Sequence, residues 1–415
     1  MQNPGTEEVL FNEESIHLPS LLKILYTNGN FEPARILLNQ LYRMKMEENQ
    51  NFKCDLCHNL LHPDFIRKVV NDTIIKLRGY EFAHFLAGSV FPPSINEFED
   101  ELRVKFGITT GEVIKTNFNR LFGSMLSNVL NIGVEFQHPD ILIVITLNSL
   151  SDYSISLQSN PVYVKGRYIK YTRGIPQTHW TCRECKGLKI NEITREPCEH
   201  CGGKGYLYST SVEQEISPPI LLLTQGSESK FHGAGREDVD ARCLGEGRPF
   251  IVEIKNPRIR TFDTVLLKEL INMSNKVSVG DLQIATRKEL QSYKVKAENR
   301  SKSYRALTEI NEPITEHEFV QKLEEAKRKL IGTTIFQRTP IRVVHRRADL
   351  VRKKKVFSID GTFIDPVHCV LYITAQGGTY IKELISGDSN RTSPNFSEIF
   401  GISMKCVELD VLSVK

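Results

Sequence analysis

The chain has 415 residues, enough for two or three domains with hydrophobic cores of their own. Hydrophobic residues make up 40% and charged residues 25%, a composition typical of a soluble globular protein. The longest apolar run, near residues 141–147, is too short to span a bilayer, and the N-terminus lacks the basic and apolar regions of a secretory signal. These features predict a protein that is neither membrane-embedded nor secreted. We expect a cytoplasmic protein, or a nuclear one if the organism is eukaryotic.

The first part of the chain predicts a helical extension followed by a small α/β domain. In residues 1–54, leucines and isoleucines recur at helical spacing, which predicts a helical N-terminal extension. Residues 55–157 alternate helix and strand patterns, which predicts an accessory domain. Its predicted elements are helices over Phe65–Leu77 and Gly111–Leu130, a helix opened by a capping box of Ser94 and Glu97, and a buried strand over Ile141–Leu147.

A stretch that interleaves cations with tyrosines follows at residues 163–173. Lysine and arginine can bind phosphates while tyrosine rings stack on exposed bases. The same pattern fits a strand with tyrosines on one face and cations on the other, and RNA-binding sheets combine both features. The candidate RNA-binding cations are Lys165, Arg167, Lys170 and Arg173.

Six of the nine cysteines fall in three Cys-x-x-Cys pairs. In an intracellular chain such pairs favour zinc over disulfides, and two of them complete a tetrahedral site. The pairs Cys182/Cys185 and Cys198/Cys201 predict a zinc-knuckle insert over residues 181–205. Four protein ligands leave no open position for chemistry, so this zinc would be structural. Cys54/Cys57 lacks a close second pair, and a metal site and two core cysteines are equally good interpretations.

Residues 158–415 are predicted to form one further domain, which includes the zinc-knuckle insert. After the insert, strands and helices occur in separate runs, which predicts an α+β fold. One helix is opened by a capping box of Thr315 and Glu318 and carries a buried apolar stripe. The predicted strands are Ile220–Thr224, Phe250–Ile254, Val343–His345 and Val370–Ala375.

A basic stripe lies between Arg342 and Lys355, where seven cations accompany one acid, Asp349. The stripe carries a net charge of +6, whereas the whole chain carries +4, so the rest of the chain is slightly acidic. Such a local concentration of charge is expected in a protein that binds a polyanion. A charged face that is merely solvated is an equally good interpretation. The seven cations are Arg342, Arg346, Arg347, Arg352, Lys353, Lys354 and Lys355.

The sequence contains neither the phosphate loop of ATP-binding proteins nor the glycine fingerprint of dinucleotide-binding folds. Glycines instead mark residues 233–240, a turn that presents Asp238 and Asp240 beside Arg236. By residue type alone, a solvated loop with a surface ion pair is the favoured interpretation.

Several segments together resemble the tenth pseudouridine synthase family of archaea and eukaryotes, with agreement in order and spacing over about residues 160–410. The segments are 166–178, 231–240, 338–347 and 376–384. The accessory region resembles that family's RNA-binding domain of the THUMP type, at residues 111–115 and 138–140. The resemblance implies a pseudouridine synthase catalytic domain with a mixed antiparallel sheet.

The resemblance also implies roles for individual residues. Asp238 would be the catalytic carboxylate, with Asp240 as its rival. Tyr304 would stack on the target uracil, Lys382 would pair with the catalytic aspartate, and Arg236 would help to hold the loop. Tyr380, beside Lys382 in the matching segment, is a further candidate substrate-binding residue.

The implied reaction needs no organic cofactor, and the implied substrate is tRNA, at uridines 54 and 55 of the TΨC arm. Relatives with zinc in the accessory domain use two Cys-x-x-Cys pairs there, whereas this chain has only Cys54/Cys57. The alternative is a non-catalytic RNA-binding zinc protein, such as a tRNA chaperone, in which Asp238 has no role.

Overall fold

A computed structural model of the chain describes residues 57–105, 112–147, 152–296 and 301–414. They form two compact units that divide between Asn160 and Pro161. The predicted helical extension over residues 1–54, and Cys54 with it, lies outside the described residues. Across the described ranges, no helix is both long enough and apolar enough to cross a bilayer.

The described part of the first unit is a four-stranded sheet with three helices. The sheet order is β2-β1-β3-β4, in which β1 runs parallel to β2 and β3, and β4 is antiparallel to β3. The elements are α1 (Pro63–Leu77), β1 (His84–Val90), α2 (Pro93–Lys105), α3 (Ile114–Leu130), β2 (Gly133–Val134), β3 (Ile141–Leu147) and β4 (Tyr153–Ser159).

Local sequence signals explain most of this unit. Helix α1 starts at a proline, whose missing N–H is not needed there, and His62 Nδ1 accepts from Asp64 N–H. Alternate residues of β3 are fully buried, as its apolar run predicts. The strand predicted at 141–147 is confirmed at both ends, and the helices predicted at 65–77 and 111–130 are confirmed with starts that differ by two and three residues. The helix predicted near Ser94 begins at Pro93.

The second unit is built on a ten-stranded mixed sheet. The strand order is β13-β10-β11-β12-β9-β14-β7-β5-β8, with β6 also paired to β7. Neighbours are antiparallel except for β14 and β7, which are parallel. The strands are β5 (Val162–Lys170), β6 (Glu228–Gly233), β7 (Arg242–Lys255), β8 (Val277–Ala285), β9 (Ser301–Ile310), β10 (Thr334–Arg338), β11 (Val351–Asp365), β12 (His368–Gln376), β13 (Thr392–Ser393) and β14 (Met404–Val414). The α+β class and the mixed antiparallel sheet are confirmed.

Helices pack against this sheet, with α7 against β11 and α8 against β14. Both hydrogen bonds of the predicted capping box are present at the start of α7. The Thr315 side chain accepts from the Glu318 N–H, and the Glu318 side chain accepts from the Thr315 N–H. The helices are α4 (Val212–Thr224), α5 (Thr264–Asn272), α6 (Arg287–Lys296), α7 (Glu316–Leu330), α8 (Ile381–Ser386) and α9 (Phe396–Phe400).

Two strand predictions are wrong. Residues 220–224 form the last turns of α4, where Ile216, Ile220 and Thr224 are buried at helical spacing and Ser211 caps the first turn. Residues 343–345 lie in a 3-10 helix, Ile341–Arg346. Short apolar runs fit a buried helix turn as well as a strand, and tertiary packing decides between them.

Candidate active site

A cleft of about 660 Å³ opens in the second unit, beside the place where β14 and β7 run parallel. The loop between β6 and β7 forms one wall, and the segment after β12 forms another. Tyr304 of β9 and Val411 of β14 are paired across the sheet beneath it. Asp238, Arg342, Tyr380 and Lys382 also line the cleft, so distant parts of the sequence meet here.

The loop that carries Asp238 is held through its main chain. Lys170 is fully buried and donates to the carbonyls of Ile175, Asp238 and Val239 at 2.8, 3.4 and 3.2 Å. The Asp238 carbonyl also accepts from Ala241 N–H, which closes a turn. These bonds fix the backbone and leave the carboxylate of Asp238 directed to the cleft, 32% exposed.

A buried ion pair lies directly beneath this loop. Glu237 contacts Arg248 at 2.7 Å, and each side chain is only 1% exposed. Tyr168 donates its hydroxyl to the same carboxylate at 2.8 Å. Burial by itself would lower the pKa of Arg248. The negative charge of Glu237 has the larger, opposite effect, so the pKa of the guanidinium is raised overall. The sequence analysis missed this pair, and the only signal for it was that Glu237 directly precedes Asp238.

The cation paired with Asp238 is Arg342, at 3.0 Å, and Arg342 also contacts the buried carboxylate of Glu383 at 2.6 Å. Burial lowers the pKa of Arg342, but Glu383 and Asp238 outweigh it and raise the pKa overall. The arginine is therefore held between two carboxylates.

The expected pairing of Lys382 with Asp238 is wrong. Lys382 Nζ contacts Asp240 at 2.5 Å, and this contact lowers the pKa of Asp240 despite the opposing effect of burial. Lys382 lies in the first turn of α8, on the side of the cleft that faces Asp240. The longer guanidinium of Arg342 reaches Asp238 from the 3-10 helix.

The predicted substrate-binding tyrosines both line the cleft. Tyr304 is largely buried on β9, and burial raises its pKa to about 12, so it is a neutral phenol at ordinary pH. Tyr380 is the N-cap residue of α8, and its hydroxyl accepts from Arg347 at 3.1 Å. Arg236 lies 4.8 Å from the Trp180 ring centre, a cation–π contact that ties the loop to the segment preceding Cys182.

The basic stripe divides between the two faces of a strand. Successive side chains of β11 point to opposite faces, so Arg352 and Lys354 line the cleft whereas Lys353 and Lys355 are exposed on the other face. Lys353 lies over the ring of Phe336 there. Arg342 and Arg347 join the cleft side. The side chain of Arg346 lies outside the described part of the chain.

The cluster at residues 163–173 does not present an open cationic surface. Lys165 pairs with Glu289 at 2.5 Å, Arg167 donates to three main-chain carbonyls, and Arg173 pairs with Asp410 at 2.7 Å. The prediction that Lys170 binds RNA is wrong, because it is fully buried under the loop. The remaining cations, Lys165, Arg167 and Arg173, are partly exposed, but each is already paired with a neighbouring carbonyl or carboxylate.

Four cysteines converge at the predicted knuckle. The sulfurs of Cys182, Cys185, Cys198 and Cys201 all lie within 4.8 Å of one another, with pairs at 3.7 and 3.9 Å. A tetrahedral zinc with bonds of about 2.3 Å has sulfurs about 3.8 Å apart, so the four thiols fit such an ion. Gly205 N–H donates to Cys201 Sγ at 3.1 Å, as expected for a thiolate knuckle. Among the described residues, Cys57 is buried in the first unit and belongs to no such group.

Comparison with known proteins matches both units to one family. Residues 163–415 match the family model described as Pus10, C-terminal, and residues 69–146 match that of the archaeal Pus10 THUMP domain. A protein named tRNA pseudouridine synthase Pus10 from Methanocaldococcus jannaschii is 41% identical over 409 residues, which cover 97% of this chain and 86% of that one. Its namesake from Methanothermobacter marburgensis is 42% identical over 336 residues, 80% and 79% of the two chains. The chain belongs to the Pus10 family of tRNA pseudouridine synthases.

Proposed function

We propose that the protein converts uridine to pseudouridine in tRNA within this cleft, with Asp238 as the essential carboxylate. The observation that carries the proposal is the Asp238 carboxylate itself, exposed in the cleft, 3.0 Å from Arg342 and beside Tyr304. The reaction requires a carboxylate as nucleophile or base, and Arg342 places a positive charge against this one.

The reaction breaks the bond between C1′ of the ribose and N1 of uracil, rotates the base and joins C1′ to C5. The C5 proton is lost and N1 gains one, so the product is an isomer and no electrons are transferred. The target base must leave its stack, and the ring of Tyr304 would give it a new stacking surface. Tyr380 and Arg347 would bound the same space from the far wall.

The substrate site we propose is the TΨC arm, at uridines 54 and 55, and this position derives from the family resemblance. The THUMP unit would bind another part of the tRNA through its backbone and shape. A tRNA substrate makes the cytoplasm the proposed compartment.

The deciding experiment incubates the purified protein with an unmodified tRNA transcript, without any cofactor, and maps pseudouridine along the RNA. We expect pseudouridine at positions 54 and 55. Modification of the anticodon arm alone would refute the proposed position. Tight tRNA binding without any pseudouridine would favour the tRNA chaperone.

We propose further that the four cysteines hold one structural zinc ion. Replacement of Cys198 and Cys201 by serine should remove about one zinc per chain and lower the melting temperature, since structural zinc contributes directly to folding. Metal analysis and thermal melting of the same preparation test this. Replacement of Cys369, a buried cysteine remote from the cluster in sequence, is the control and should leave zinc content unchanged. Unaltered zinc in the double variant would refute the site.

The division of the basic stripe predicts a difference between two double variants. Arg352→Gln with Lys354→Gln removes two charges from the cleft face of β11, whereas Lys353→Gln with Lys355→Gln removes two from the opposite face. We expect the first pair to weaken tRNA binding and to reduce the slope of log affinity against log salt by roughly one to two. The second pair should have a clearly smaller effect. Equal losses would indicate a diffuse electrostatic attraction instead of contacts in the cleft.

A further inference from the structure

Lys302 is a buried cation in the cleft that the reaction described above does not use. It lies near the start of β9, two residues before Tyr304, and both side chains point to the cleft face of the sheet. Only 6% of Lys302 is exposed. Among the described residues, its Nζ makes no hydrogen bond or ion pair.

The groups around Lys302 do not neutralise it. Arg248 and Cys243 face it from β7, Glu237 from the loop, Lys354 from β11 and Tyr304 from its own strand. The carboxylate of Glu237 forms its ion pair with Arg248, at 2.7 Å, and not with Lys302. Burial, followed by the positive charge of Arg248, lowers the pKa of Lys302 to about 8. A buried ammonium without a counter-ion is costly, so such a group signals a missing partner.

The end of the Lys302 side chain occupies the space beside Gly235 in the loop opposite it. A Cβ on Gly235 would lie 2.7 Å from Lys302 Nζ, and Gly235 has a φ of +77°, which disfavours other residues in any case. The ammonium therefore lies close against the main chain of the segment that carries Asp238. An anion bound at this point would lie beside the carboxylate loop and beside the stacking surface of Tyr304.

We propose that Lys302 binds a phosphate of the RNA backbone next to the target uridine, inside the cleft. A phosphate supplies the full negative charge that the site lacks, whereas a uracil carbonyl would leave the ammonium uncompensated. Lys354 and Arg352 lie on the same side of the cleft and would share the backbone. An RNA phosphate bound to Lys302 would lie close to Tyr304. Binding of the RNA backbone at this point would therefore help to place the target base on the Tyr304 ring. This inference rests on the proposed function, because it takes RNA as the occupant.

The test measures binding of a tRNA transcript to full-length protein carrying Asp238→Asn, so that no product forms, with and without Lys302→Met. At pH 7 we expect Lys302→Met to weaken binding about tenfold or more, and to reduce the salt slope by about 0.7. Pseudouridine formation by the single variant Asp238→Asn tests the catalytic proposal independently of Lys302. Turnover close to that of the unaltered protein would refute the catalytic proposal and leave the result for Lys302 intact.

The pH dependence provides a second readout. Lys302 is charged below its pKa of about 8 and neutral above it, so the tRNA affinity of the lysine form should fall as the pH rises from 7 to 9.5. The pKa values of Tyr304 and Cys243, about 12 and 11, are higher, so these groups stay neutral over this range. Lys302→Met should show no such fall. Lys353→Met, the control on β11, removes a charge outside the cleft and should retain the fall.

Thermal melting of each variant distinguishes a binding role from a structural one. If Lys302→Met lowers the melting temperature while the salt slope and the pH dependence of binding stay unchanged, Lys302 is a support for the loop and the proposal is overturned. A variant that fails to fold is replaced by Lys302→Arg, which stays charged. Lys302→Arg should bind tRNA with nearly equal affinity at pH 7 and 9.5, and a fall like that of the lysine form would overturn the proposal.

Discussion

Asp238→Asn is expected to lower the rate of pseudouridine formation by at least roughly 10³-fold, because the amide cannot act as nucleophile or base. The substitution preserves shape, and the loop is held through the main chain by Lys170 and Ala241, so the fold should be unaffected. Binding of a tRNA transcript should change by less than about threefold. Single-turnover assays with mapped pseudouridine, combined with equilibrium binding, separate the two effects.

Asp240→Asn is the matched control for this variant. Asp240 offers a carboxylate two residues away, but it is paired with Lys382 and not with Arg342. We expect its loss to reduce the rate much less than the loss of Asp238. An inactive Asp240→Asn together with an active Asp238→Asn would reverse the assignment of the two carboxylates.

Glu237→Gln is expected to have the largest effect on stability. The substitution leaves the guanidinium of Arg248 buried, fully charged and without its counter-ion, and arginine cannot escape by losing its proton. Breaking a buried pair in this way costs about 3–5 kcal/mol. For a domain of this size, that corresponds to a fall in melting temperature of roughly 6–20 °C. Activity should fall as well, because the pair supports the loop beneath Asp238.

Two further variants show whether the buried charge is the cause. Glu237→Gln combined with Arg248→Met removes both charges and should recover part of the lost stability. Glu228→Gln breaks the ion pair with Lys255, whose two side chains are well exposed, and should shift the melting temperature by no more than about 3 °C. A melting temperature for Glu237→Gln as high as that for Glu228→Gln would contradict the importance of the buried pair.

The sequence by itself determined the elements whose signals are local. The capping box of Thr315 and Glu318, the apolar strand at Ile141–Leu147 and the α+β class all follow from spacing and composition, and all are confirmed. The four cysteines of the knuckle were predicted for the same reason, since Cys-x-x-Cys spacing encodes the turn that brings two sulfurs together. The family resemblance, carried by several short motifs, is confirmed by the comparisons.

Only the tertiary structure decided which charged groups meet. Residue spacing does not reveal that Arg342 instead of Lys382 reaches Asp238, because the two cations belong to different elements that meet only in the folded chain. Burial likewise made Lys170 a support for the loop instead of an RNA contact, and it removed the ion pair of Glu237 and Arg248 from solvent. Strand alternation divided the basic stripe between two faces. The energy of a charge depends on the solvent and the counter-ions around it, and these are fixed by residues far away in the sequence.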